Sequence, residues 1–128
     1  MMEIRRESTM PENYPSARAM TQSPLRRVAV HGDSMRPFLE PGDRLLVVGF
    51  LKARAGDVVA VVDPREHDRG RVLVKRVDKV DSSGVTVVGD NPAASTDSRT
   101  FGPVDPTLVL GRAVYRYWPA ARRGRLHS

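Results

Sequence analysis

Six short runs rich in Val and Leu, each closed off by Gly, Pro, Asp or Ser, constrain this chain more than any other feature. They fall at residues 25–30, 44–50, 57–63, 71–80, 84–89 and 108–117. β-Branched side chains pack well on a pleated surface, whereas Gly, Pro, Asp and Ser supply the conformations that turns need. The pattern predicts a mainly β domain of short antiparallel strands with few helical turns, one of them at residues 34–39. At 128 residues the chain can bury one core. Aromatic residues are only 5% of it, so Val and Leu must fill that core.

The flanks read differently. Residues 1–24 are polar, contain Pro11, Pro15 and Pro24, and are expected to be a flexible lead segment. Residues 119–128 form a basic tail, expected to fray, which leaves the folded domain at 25–118. The lead segment has charges but no apolar h-region, so it does not read as a secretory signal. No run approaches the ~20 apolar residues of a membrane span. The cytoplasm is the expected location.

The chain has no Cys, which excludes disulfides, thiolate zinc sites and Cys nucleophiles. Its net charge of +6 would suit an anionic partner. The Arg residues gather toward the two ends, however, and no aromatic residues interleave with them to stack bases. Solvation is therefore the expected use of that charge, and no nucleic-acid partner is expected.

Three stretches can carry chemistry. In the first, Ser34 follows Gly32 and Asp33 at the end of a strand and enters a turn bounded by Pro37. Such a turn can expose a hydroxyl and aim backbone N–H groups at one point, as a tetrahedral oxyanion requires. It can equally be a plain strand end capped by Ser34 or Asp33. In the second, strand alternation puts Lys75 on the same face as Leu73 and Val77. A Lys there either lies at a sheet edge with its stem over apolar residues, or is desolvated. Desolvation lowers a Lys pKa and lets the neutral amine accept a proton. The third is the polar loop 89–102, with Asp90, Asn91, Ser95, Asp97 and Arg99. Its oxygens do not have the spacing of an EF-hand calcium loop.

Taken together and in order, these stretches resemble the catalytic core of the signal peptidase I superfamily over about residues 27–118. Ser34-Met35-x-Pro37-x-Leu39-x-x-Gly42-Asp43 resembles its nucleophile box and Gly56-Asp57-Val58-Val59 its next strand. Val74-Lys75-Arg76-Val77 resembles its lysine box. Gly89-Asp90-Asn91 with Ser95-x-Asp97-Ser98-Arg99-x-Phe101-Gly102 resembles its last box. The resemblance implies a β-fold of the signal-peptidase and LexA type. It implies a Ser–Lys dyad in which Ser34 is the nucleophile and Lys75 the general base. Ser95 would help hold that base. Asp90, Arg76, Asp97 and Arg99 would support the site by pairing. Gly32 stands where some members have a Ser, so the oxyanion would rely on backbone N–H groups, chiefly that of Ser34. No metal or organic cofactor is implied.

The departures narrow the resemblance. The chain shows no membrane anchor before the nucleophile box, and 14 residues between Lys75 and Asp90 leave no room for a large extra β-domain. Small, soluble nickel-type superoxide dismutase maturation proteases fit best, in length and in a stretch like residues 111–119. That resemblance implies removal of an N-terminal leader from a nickel superoxide dismutase precursor, bound as an extended peptide. Other precursors, cut by a soluble or truncated signal peptidase I-like protease, are the alternative substrates. An inactive module that binds a leader peptide is the alternative of another class. A LexA-type self-cleaving repressor would need a DNA-binding domain for which residues 1–24 are too short. His31 is not expected to be the base, because the chain bends at Ser34 and no third triad member is evident. His67 reads as part of a solvated loop, His127 lies in the tail, and Tyr115, Tyr117 and Trp118 read as core and edge packing on the last strand, with an exposed Trp118 as an alternative mark of a partner surface.

Overall fold

The computed structural model describes residues 24–65 and 70–126. The lead segment up to residue 23, His67 with its loop, and His127 lie outside the described residues.

Each of the six runs becomes a strand. These are β1 (Leu25–Ala29), β2 (Arg44–Val48), β3 (Val58–Val62), β4 (Val72–Asp81), β5 (Gly84–Val88) and β6 (Val109–Trp118). All pairings are antiparallel, in the order β1-β2-β6-β3-β4-β5. The architecture is the mainly β fold expected. β3 is buried along its whole length, as five consecutive apolar residues demand, since neither of its faces can meet water at low cost.

Each face of the sheet carries its own core. Val28, Leu45, Val47, Ala60, Val74 and Leu110 pack on one side. Val59, Val61, Val77, Val85, Val87 and Val104 pack on the other. The turns after β1 feed Met35 and Leu39 into the first core, where they are 1% and 0% exposed. Burying a side chain such as Leu39 contributes roughly 1.5–3 kcal/mol. The two anchors flank the Pro37 turn and hold Ser34 at the rim of the core. Residues 34–39 make consecutive turns rather than a regular helix, although Leu39 N–H does donate to Met35 O at 2.9 Å.

The tail departs from expectation. Residues 120–122 form a 3-10 turn and Gly124–Arg125 forms β7, which pairs with β6. Two contacts explain why it does not fray over the described residues. Leu126 packs against the first core, and Arg122 reaches the fully buried Asp43. Arg116 also donates to Asp43 at 3.1 Å and to Phe38 O at 3.2 Å. A buried carboxylate needs such partners.

Candidate active site

Lys75 lies on β4 directly across from Val59 of β3 and is only 4% exposed. Its side chain therefore takes the face of the sheet that carries the second core, as alternation predicts. Its Nζ donates to Ser95 Oγ at 3.0 Å. Ser95 in turn donates to Asp97 Oδ2 at 2.7 Å. Asp97 is fully buried and also accepts from Gly89 N–H at 2.8 Å, from Arg99 N–H at 3.1 Å and from the Arg99 guanidinium. A carboxylate only accepts, so the single Ser95 proton points to Asp97 and a Ser95 lone pair faces Lys75. The relay Arg99–Asp97–Ser95 thereby sets the direction of the amine.

The charges follow the same logic. Burial pushes the Lys75 pKa down; Asp97 pulls it up, and Arg99 and Arg71 push it down again, with a net lowering. Burial would raise the Asp97 pKa, but hydrogen bonds from Arg99, Ser95 and the Gly89 amide outweigh it and hold the carboxylate well below its ordinary range. Asp97 is thus ionised beside a lysine that sheds its proton more easily than usual.

Ser34 reaches this group through the loop after β5. Asn91 N–H donates to Ser34 O at 2.8 Å, and Asn91 Nδ2 donates to Asp33 O at 3.1 Å. Gly89 sits in the pinch between the two stretches. A Cβ there would overlap Ser95 Oγ and come within 2.7 Å of Ser34 O. Ser34 and Lys75 both line one cavity of about 670 Å³. Among the described residues no hydrogen bond joins Ser34 Oγ to Lys75 Nζ; such bonds commonly tighten only with substrate in place.

Arg76 points to the other face of β4. It makes two 2.9 Å bonds to Asp90, donates to Gly56 O at 2.8 Å, and lies 4.8 Å over the Phe38 ring. Arg76 and Asp90 therefore brace the turn that carries Ser34 from behind, and neither bonds to Lys75. The other candidates behave more simply. His31 is exposed at the cavity wall, and Gly32 has a left-handed φ of 75° with open space where a side chain would be. Trp118 is 48% exposed, with Arg44 over its ring at 5.3 Å.

Several contributors escaped the sequence reading. Asn91 and Gly89 read as parts of a motif without a stated task, and Asp43 as the end of the nucleophile box. Asp63, fully buried and held by Arg65, gave no local signal, because its burial depends on β3 being enclosed on both faces. No helix among the described residues is long and apolar enough to cross a membrane.

Comparisons with known proteins identify the family. The profile of the family described as Peptidase S24-like matches residues 2–114. The chain is 36% identical over 124 residues to mitochondrial ATP-independent inner membrane protease subunit 1a of Arabidopsis thaliana, covering 76% of this chain and 73% of that protein. It is 33% identical over 132 residues to mitochondrial inner membrane protease subunit 2 of Mus musculus, covering 81% and 75%. It is 27% identical over 145 residues to probable signal peptidase I-1 of a Synechocystis strain, covering 77% and 74%.

Proposed function

Because the chain belongs to the Peptidase S24-like family, we propose that it is a serine endopeptidase in which Ser34 attacks and Lys75 acts as general base. One observation carries the reading: a buried lysine, held by Ser95 and biased toward its neutral form, opens into the same cavity as a serine on a turn. Neutral Lys75 takes the Ser34 proton as Oγ bonds to the scissile carbonyl carbon. Backbone N–H groups at the turn, chiefly that of Ser34, receive the oxyanion. Lys75 returns the proton to the leaving amine as the C–N bond breaks. It then deprotonates the water that hydrolyses the acyl ester and frees Ser34.

The substrate binds as an extended strand. β5 covers β4 only from Arg76 to Asp81, and β1 is the other end of the sheet order, so two strand edges flank the cavity. Main-chain pairing there suits a leader peptide. The narrower substrate, a nickel superoxide dismutase precursor processed in the cytoplasm, is supported by the resemblance of residues 111–119 to the small maturation proteases. The relatives are named as membrane protease subunits and a signal peptidase, which favours a second reading, a signal peptidase I-like protease acting on other precursors. Both dyad residues are present, which argues against an inactive binding module.

The deciding experiment incubates the protein, Ser34→Ala and Lys75→Ala with nickel superoxide dismutase and secretory precursors and reads product N-termini by mass spectrometry. The dyad requires cleavage by the wild type and a loss of at least ~10⁴-fold in each variant. Equal cleavage by all three proteins overturns it. Cleavage of secretory precursors alone overturns the nickel-enzyme substrate.

A further inference from the structure

We propose that Asn91 is a positioning residue for the oxyanion donor: it fixes the peptide group whose N–H receives the negative oxygen, an assignment that rests on the endopeptidase reading above. Asn91 is the N-cap of the 3-10 turn Pro92–Ala94, yet its side chain makes no capping bond. An Asn at that position ordinarily accepts a backbone N–H of its own turn. Here Nδ2 instead donates to Asp33 O at 3.1 Å, across 58 positions of sequence. Asp33 O is one end of the peptide group that joins residues 33 and 34, and Ser34 N–H is the other. That group is trans and planar, so its C=O and N–H point in opposite directions. Whatever holds the oxygen therefore aims the N–H. A carbonyl that accepts also polarises its own amide, which strengthens the N–H as a donor.

The same carbonyl accepts from Arg36 N–H at 3.2 Å, a bond within the turn itself. Of the two bonds, the one from Asn91 ties the peptide group to another part of the fold. The backbone N–H of Asn91 holds the next carbonyl, Ser34 O, at 2.8 Å, so one residue grips the peptide groups on both sides of the Ser34 Cα. Ser34 N–H itself donates to no acceptor among the described residues, and Ser34 lines the cavity. A free donor on a cavity wall is what a developing oxyanion needs. Gly32 adds no side-chain donor beside it. Asn91 is secured in turn, because the neighbouring Asp90 takes two bonds from Arg76. Four residues after Asn91 in the same loop, Ser95 accepts from Lys75. Residues 91 and 95 thus hold the oxyanion donor and the base from the two ends of one short 3-10 turn, which sets one relative to the other.

The test compares the wild type with Asn91→Asp and Asn91→Ala. Both keep the backbone N–H and lose the side-chain donor, since a carboxylate only accepts. On a cleaved precursor peptide, kcat should fall about 10–10²-fold with KM within about twofold. In Asn91→Ala the rate should climb over the same pH range as in the wild type, because Ser95 still holds Lys75; a shifted range means general damage to the loop and overturns the assignment. The second measurement is binding of a peptide aldehyde and the matching peptide alcohol. Ser34 Oγ adds to the aldehyde carbon, Lys75 takes the proton, and the former carbonyl oxygen carries the negative charge; the alcohol forms no such adduct. Both variants should bind the aldehyde about tenfold more weakly and the alcohol as the wild type does. Undiminished preference for the aldehyde in the variants overturns the proposal, as does a loss confined to KM. A wild type that neither cuts the peptide nor prefers the aldehyde marks failure of the endopeptidase reading itself, and the proposal falls with it.

Discussion

Lys75 Nζ and Ser95 Oγ are 3.0 Å apart, and the Ser95 proton is committed to Asp97. The hydroxyl therefore acts on the amine only as an acceptor. Ser95→Ala should leave Lys75 buried but free to rotate. We expect kcat to fall by on the order of 10² with little change in KM, and Ser95→Thr to restore part of it. Steady-state kinetics on one precursor checks this; a change confined to KM would contradict it.

A lowered Lys75 pKa is also a stability statement. Below its ordinary value of 10.5 and above its folded value, the unfolded chain holds a proton that the folded chain lacks, so stability rises with pH across that window. Below the folded value the native state bears the full penalty of a buried ammonium. Lys75→Met removes that penalty. It should melt higher than wild type near neutral pH, by about 4–8 °C for each kcal/mol recovered in a domain near this size. The gap should close as pH approaches 10.5. Thermal melts over a pH series read this directly, and the wild-type cleavage rate should climb as Lys75 loses its proton.

Asp97 has the opposite sign. Its folded pKa lies well below the ordinary 3.8, so its contribution is fully present above 3.8 and lost as pH falls below it toward the folded value. Asp43 and Asp63 are lowered as well and add to the same acid slope. Asp97→Asn should cost about 1–3 kcal/mol at neutral pH and flatten the acid limb of the stability curve. Denaturant melts at neutral and acid pH measure both effects.

Two glycines separate packing from chemistry. A Cβ at Gly111 would strike the Val48 carbonyl, and neither residue lines the cavity, whereas one at Gly89 would strike Ser95 and Ser34. Both alanine variants should lose about 1–3 kcal/mol or more to overpacking. Only Gly89→Ala should also lose activity at temperatures where circular dichroism shows it folded.

The strands were legible because their cause is local. Alternation and β-branched runs at 44–48 and 58–62 need no knowledge of partners to read as strands. Lys75 was legible for the same reason, as a charge out of place beside Leu73 and Val77. The rest depends on distant residues. Nothing near Asp43 shows that its partners come 73 and 79 positions later. Nothing in Gly-Asp-Asn shows that the missing Cβ of Gly89 makes room for Ser34 O. The tail misled because a run rich in Arg reads as solvated until a buried carboxylate is known to receive it. The four-residue helix α1 (Ser98–Phe101) is too short for periodicity and depends on its Asp97 cap, a side chain that also serves Ser95.

The bond between Asp43 and Arg122 has a consequence in time. The ribosome finishes the turn that carries Ser34 long before it reaches the arginine that secures the end of that turn, 79 residues after Asp43. Until residue 116 is made Asp43 has neither Arg116 nor Arg122 to meet it, and a bare carboxylate resists burial. The end of that turn therefore gains its last side-chain anchor only when synthesis is nearly complete.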